Sequence, residues 1–196
     1  MCSSDLVGTA QRAQSYPLPT DLAQASVKVA GVAVPMIQAS PTGVLFQTPT
    51  ELLSGPTSVT VSANGYTSPT LPVEVRPVNP GIFAAAHTNG NLVTSVSPAQ
   101  SGELLVIWAT GLGRAKSDDA SGKPASANPL VELRDPVTVT IGGASSDVVF
   151  AGLAPGYAGL QIVLVKVPAV SGTSGTSNLV LTSGGEPGAA YNLPVR

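Results

Sequence analysis

Charge is scarce in this sequence: Lys, Arg, Asp and Glu make up 10% of its 196 residues, against about 25% in an ordinary soluble protein. The nine basic residues are dispersed and the formal net charge is −2, so no local cluster can collect phosphates and nucleic acid is excluded as a partner. Cys2 is the single cysteine and His87 the single histidine. An internal disulfide and a Cys/His zinc site are thereby ruled out, and no cofactor is indicated. No apolar run approaches the roughly 18 to 20 residues of a membrane-crossing helix, and the first ten residues lack the basic start and apolar centre of a secretory signal. Aromatic residues are few, at 4%. No segment repeats its apolar residues with a helical period. The opening run from Met1 to Leu6 (MCSSDL) reads as the translation of a sequencing-adapter end, which would leave Cys2 without meaning.

What the chain does have is glycine (21), proline (18) and a hydrophobic fraction of 43%, enough to bury a core. This is the balance of short strands joined by many turns. Residues 1–20, with Pro17 and Pro19, read as an extended lead-in with a frayed start. Val27 and Val29 alternate with Ser26 and Lys28 before a small-residue turn and a second apolar run at 32–37, which predicts a hairpin. Residues 44–47 end at Thr48-Pro49, and Val59 and Val61 alternate with polar neighbours ahead of the Asn64-Gly65 turn signal. The run PVNP at 77–80 marks a domain junction, because two prolines restrict their neighbours and remove two donors. Residues 82–101 read as weak strands, 103–109 (ELLVIWA) as a central strand covered on both faces, and 114–135 as a long surface excursion. The stretch 137–168 is the most legible. Val137, Val139 and Ile141 face one way, Gly142-Gly143 turns the chain, a Gly-Pro loop spans 151–160, and Val163, Val165 and Val167 share a core face.

The two halves of the chain also match each other. Lys28-Val29-Ala30-Gly31 aligns with Thr140-Ile141-Gly142-Gly143 at an offset of 112, residues 44–49 with 163–168 at 119, and Val59-Thr60-Val61 with Leu179-Val180-Leu181 at 120. The offset grows by seven inside the Gly-Pro loop, as a loop insertion should. The expected fold is all-β, with two tandem Ig-like β-sandwich units: a partial one at 21–79 and a second at 80–196. The strand equivalent to 103–109 would lie upstream of Val7, so the first unit is expected to be truncated at its N-terminus and to carry an exposed edge that invites pairing.

At residues 108–113 (WATGLG), 140–143 (TIGG), 151–159 (AGLAPGYAG) and Val167-Pro168, the sequence resembles a family of uncharacterised C-terminal domains found mainly in large exported, Solibacter-type proteins of soil acidobacteria. Residues 19–49 resemble the family's preceding half, so the likeness spans most of 17–196. The plan of strands and glycine turns is also similar to IPT/TIG immunoglobulin-like domains. The resemblance implies an Ig-like sandwich in a secreted or cell-surface bacterial protein, attached to upstream domains of the same polypeptide; it brings no activity. The family places a Gln-aliphatic-Asn triplet before the strand-ending proline in both halves. Here those places read Gly43-Val44-Leu45 and Gln161/Ile162-Val163-Leu164.

Few residues offer chemistry. A Ser-His-Asp hydrolase would have to use His87 as its base, yet His87 lies in 84–90 beside the domain junction with no G-x-S-x-G, and it reads as an exposed loop histidine. Asp118 and Asp119 are adjacent and read as solvated. The run SDDASG from Ser117 to Gly122 has the alternating oxygens of a calcium loop, but Asn128 stands where the bidentate Glu belongs, so a polar turn is expected. Trp108, in the most apolar strand, reads as core, and Tyr157, in the Gly-Pro loop, is the best-placed aromatic for a sugar. No residue is assigned to catalysis, cofactor or metal. The expected function is a non-catalytic structural or adhesive module, the alternative a carbohydrate- or protein-binding module using the loop around Tyr157, with an extracellular protein or glycan as partner.

Overall fold

The computed structural model describes residues 6–117, 120–169 and 175–196. Every regular element in it is a β-strand. The chain divides into two compact units, the first grouping the described residues up to Arg76 with those from 120 to 125 and Gly156–Gly159, the second holding the remainder.

The first unit contains β1 (Gln11–Arg12), β2 (Asp21–Leu22), β3 (Ala25–Val29), β4 (Val32–Ala33), β5 (Met36–Ser40), β6 (Gly43–Phe46), β7 (Gly55–Ala63), β8 (Tyr66–Thr67) and β9 (Leu71–Val75). They form two sheets, β1-β5-β6 and β2-β3-β7-β8, with β4 paired to β3 and β9 to β7. The alternation read from the sequence sets the faces: Ala25, Val27 and Val29 of β3 point into the core while Lys28 is exposed. Val27, Val29, Val34 and Met36 are buried, with Val44, Phe46, Leu52, Val59 and Val61 only partly covered around them. The lead-in is packed, contrary to the frayed start its composition suggested. Val7 is 1% exposed beside Ala25 and Ala39, and Gln11 and Arg12 pair with Ala39 and Gln38. Leu6 packs beside Val7, and the Leu6 and Ala13 N–H groups donate to the Pro41 and Ile37 carbonyls, so apolar burial and backbone bonds together hold this otherwise polar segment.

The second unit contains β10 (Gly81–His87), β11 (Leu104–Thr110), β12 (Val137–Ile141), β13 (Ala144–Leu153), β14 (Gln161–Lys166), β15 (Gly175–Ser183), β16 (Glu186–Pro187) and β17 (Tyr191–Val195). The antiparallel order is β10-β11-β14-β13-β12-β15-β16, with β17 also on β15. Strand β13 passes from one face to the other. Its start pairs with β12 at Ala144–Ser146, and beyond that it pairs with β14, with a register shift between Val148 and Phe150. The core lies between the faces, with Leu105, Ile107, Ala109, Val163 and Val165 from one side and Val139, Ile141, Leu179, Leu181 and Leu193 from the other, all at most 1% exposed.

Three segments differ from their sequence reading. Residues 81–87 form a full strand rather than a weak one, paired along its length with β11, with Ala85 and Ala86 buried on its opposite faces. Strand β11 is central, but its faces are unequal: Leu105, Ile107 and Ala109 are buried while Trp108, on the opposite face, is half-buried and lies outside the core cluster. Strict alternation along a strand forces that separation. The two ends of the excursion at 114–135 are paired, with Lys116 and Glu132, and Arg134 and Arg114, joined through their backbones and Ala115 and Leu133 each 4% exposed.

The turn that follows β11 is fixed from two sides. Gln161, 7% exposed, accepts from the Leu112 N–H at 2.8 Å and donates to the Gly113 carbonyl at 2.9 Å, while Ser183 Oγ donates to the Leu112 carbonyl at 2.7 Å. Gly111 sits at φ +73°, and a Cβ there would fall 2.0 Å from the Asn79 carbonyl oxygen, so only glycine fits this approach.

Candidate functional site

A shallow cleft of about 280 Å³ in the second unit is lined by His87, Ser97, Gln100, Glu103 and Arg196 among others. His87 ends β10, where the Asn89-Gly90 turn begins: its carbonyl accepts from Gly90 and its N–H donates to Asn91. The connection then folds back, Val93 N–H reaching the Ala85 carbonyl, and brings Ser97 and Glu103 to the imidazole. His87 is therefore a strand-end residue with its side chain 12% exposed, not the exposed loop histidine expected from its neighbours. Residues 82–101 carry no period that discloses this fold-back, and the partners Ser97 and Glu103 went unread for the same reason.

The three side chains stand in the order carboxylate, imidazole, hydroxyl. Glu103 Oε1 pairs with His87 Nδ1, and the other carboxylate oxygen accepts from the Gln100 N–H at 2.9 Å. His87 Nε2 lies 3.1 Å from Ser97 Oγ and 3.1 Å from the Ser97 carbonyl oxygen. A carbonyl can only accept, so the Nε2 that faces it carries a proton. The hydrogen bond to Glu103 raises the His87 pKa above its ordinary 6.5, burial opposes this, and the Ser97 carbonyl and the Glu103 charge add to the rise. The arrangement thus favours imidazolium, which ties β10 to the start of β11. A general base needs a free lone pair on Nε2, and here that nitrogen is engaged as a donor.

The other residues singled out from the sequence are not brought together with this cleft. Tyr157 is 50% exposed in a loop whose backbone is clamped: Gly156 donates to the Ala125 carbonyl and Ala125 to the Tyr157 carbonyl, each at 2.9 Å. The loop is shorter than its sequence suggested, because β13 runs on through Leu153, which pairs with Gln161. Gly159, at φ +69°, lies so near Gln47 that a Cβ would be 2.8 Å from its Cγ. The same Gln47, 7% exposed, accepts from the Gly122 N–H at 2.7 Å. In the SDDASG run, Asp118 and Asp119 lie outside the described residues, whereas Ser121 donates from both its N–H and its Oγ to the Glu51 carboxylate, at 3.2 and 2.5 Å. The hydroxyl bond from Ser121 holds the Glu51 pKa below its ordinary 4.5.

Among the described residues no three His, Cys, Asp or Glu side chains converge as metal ligands, and no helix is long and apolar enough to cross a membrane. Comparison of the chain with protein-family models and with curated proteins finds no match.

Proposed function

We propose that the chain is a non-catalytic structural or adhesive module of a secreted or cell-surface bacterial protein, built from two copies of one Ig-like β-sandwich unit. The observation that carries this reading is the coincidence of ladders. Shifting β3 by 112 and β7 by 120 turns Ala25↔Ala63 through Val29↔Val59 into Val137↔Ser183 through Ile141↔Leu179. The same shifts turn Val29↔Val32 into Ile141↔Ala144 and Ala63↔Tyr66 into Ser183↔Glu186; Gly55↔Val75, shifted by 120, becomes Gly175↔Val195. Repetition of a whole unit multiplies surface and length, which suits spacing and adhesion. The His87 imidazolium supports a stapling role rather than proton transfer. The extracellular assignment rests on the resemblance to exported acidobacterial domains.

The second reading, a glycan- or protein-binding module at Tyr157, is favoured by one observation: a half-exposed aromatic ring on a loop held by backbone hydrogen bonds. One set of assays separates the readings. The purified chain is expected to hydrolyse no activated ester and to be retained by no glycan on an array or on cell-wall material. Hydrolysis that disappears in His87→Ala would overturn the non-catalytic reading, and retention lost in Tyr157→Ala would replace it with the binding module.

A further inference from the structure

The connection from β10 to β11 is anchored at two points and loose between them. Val93 and Ala99, 5% and 0% exposed, belong to the core of the second unit. Their backbones are tied down as well: Val93 N–H donates to the Ala85 carbonyl, Ala99 N–H to the Pro194 carbonyl, and the Ala99 carbonyl accepts from Arg196. Between these anchors runs Thr94-Ser95-Val96-Ser97-Pro98, its first four residues exposed and Val96 at 94%. The segment closes on itself, Thr94 N–H reaching the Ser97 carbonyl at 3.0 Å and Ser97 N–H the Thr94 Oγ1 at 3.1 Å. Among the described residues, the hydrogen bonds that leave it go to one group, His87 Nε2, which lies 3.1 Å from the Ser97 carbonyl oxygen and 3.1 Å from Ser97 Oγ.

We propose that residues 94–98 form a flap latched by the proton on His87 Nε2: the flap is held to the end of β10 while that nitrogen is a donor and is released when the ring becomes neutral. A neutral imidazole carries one N–H. The Glu103 carboxylate, oriented by the Gln100 N–H at 2.9 Å, accepts from Nδ1 and keeps the remaining proton there. Nε2 then turns a lone pair toward the Ser97 carbonyl oxygen, and a bond between donor and acceptor becomes a repulsion between two acceptors. The Ser97 hydroxyl can turn to donate to Nε2, but its rotation does not remove the carbonyl from the same nitrogen. Few other charges bear on the ring. Glu103 faces it from the start of β11 and Arg196 lines the same cleft from beyond β17; among the described residues no other charged side chain lines it. A guanidinium does not deprotonate in proteins, so Arg196 adds no proton to the change. Because the hydrogen bond to Glu103 raises the His87 pKa above 6.5, the flap is latched below 6.5 and opens as pH climbs through the raised value. The release is local, since the anchors at Val93 and Ala99 do not depend on this proton.

The test is NMR relaxation of the full chain from about pH 5 to about pH 9, with the His87 ring resonances titrated on the same sample. Order parameters of the Ser95, Val96 and Ser97 amides should fall from about 0.85 to about 0.6 or lower, with the midpoint of the fall at the pKa read from the ring, while the amides of Leu105 and Val163 stay rigid. Glu103→Gln should move the ring and flap midpoints to lower pH together, and His87→Gln should abolish the pH dependence; the Leu105 and Val163 amides report that each variant is folded. Order parameters that do not change with pH, a midpoint that departs from that of the ring in either the parent chain or Glu103→Gln, or a fall that survives in His87→Gln would each overturn the proposal. So would loosening of Leu105 and Val163 together with the segment, which would make the event an opening of the whole unit.

Discussion

His87 is the single imidazole of the chain, and each of its nitrogens faces an oxygen that can accept: a Glu103 carboxylate oxygen on Nδ1, and the Ser97 carbonyl on Nε2. Such a pair is worth most when the ring is charged. Because the folded-state pKa lies above the unfolded value of about 6.5, the stabilisation is fully present below that value and is lost as pH rises through the folded pKa. The melting temperature should therefore fall as pH climbs from 6 through 8, and Glu103→Gln should flatten that part of the profile while lowering its acid side. An unchanged slope in Glu103→Gln would assign the pH dependence elsewhere. Glu51 has the opposite sign: its lowered pKa gives stability that is present above about 4.5 and lost as pH falls.

At the scale of elements, the hairpin turns decide the registers, and five of them place two consecutive residues at positive φ. Gly142-Gly143 and Gly184-Gly185 do so without steric cost, Asn64-Gly65 at little, Ala23-Gln24 with no glycine at all, at φ +53° and +61°, and Ala30-Gly31 with alanine at φ +53°. Alanine in that conformation costs about 1 kcal/mol relative to glycine. Ala30→Gly should accordingly stabilise the β3–β4 hairpin by about that amount, and Gly142→Ala, the reverse change in the β12–β13 turn, should destabilise by as much; denaturant titration reads both. Equal and negligible effects would mean that the turns do not hold the registers. The glycine-containing turns were legible because their dipeptides are local signals, as was the alternation of β3, β12 and β14. Trp108 was misread because a continuous apolar run hides which face is which. The His87–Ser97–Glu103 cluster was illegible, because it depends on a sixteen-residue fold-back closed by backbone bonds that no side-chain period announces.

The two units are unequal at the scale of the whole molecule. Among the described residues, the core cluster of the second contains eighteen buried hydrophobic residues, and those of the first contain four and three. Fully burying an aliphatic side chain is worth roughly 1.5–3 kcal/mol, so even a fraction of that difference amounts to several kcal/mol. Val44, Phe46, Val59 and Val61 of the first unit are the same class of side chain as Val163, Val165, Leu179 and Leu181 of the second, yet they are only half-covered. The deficit thus lies in what covers them, not in the residues themselves. Amides of β3 and β7 are expected to exchange through an opening that costs less than the one exposing β11, β12, β14 and β15, and to reach the exchange limit at lower denaturant. Native-state hydrogen exchange across a denaturant series measures both free energies on one sample. A single isotherm shared by all six strands would mean that the cores open together, and the inequality of cover would then have no energetic consequence.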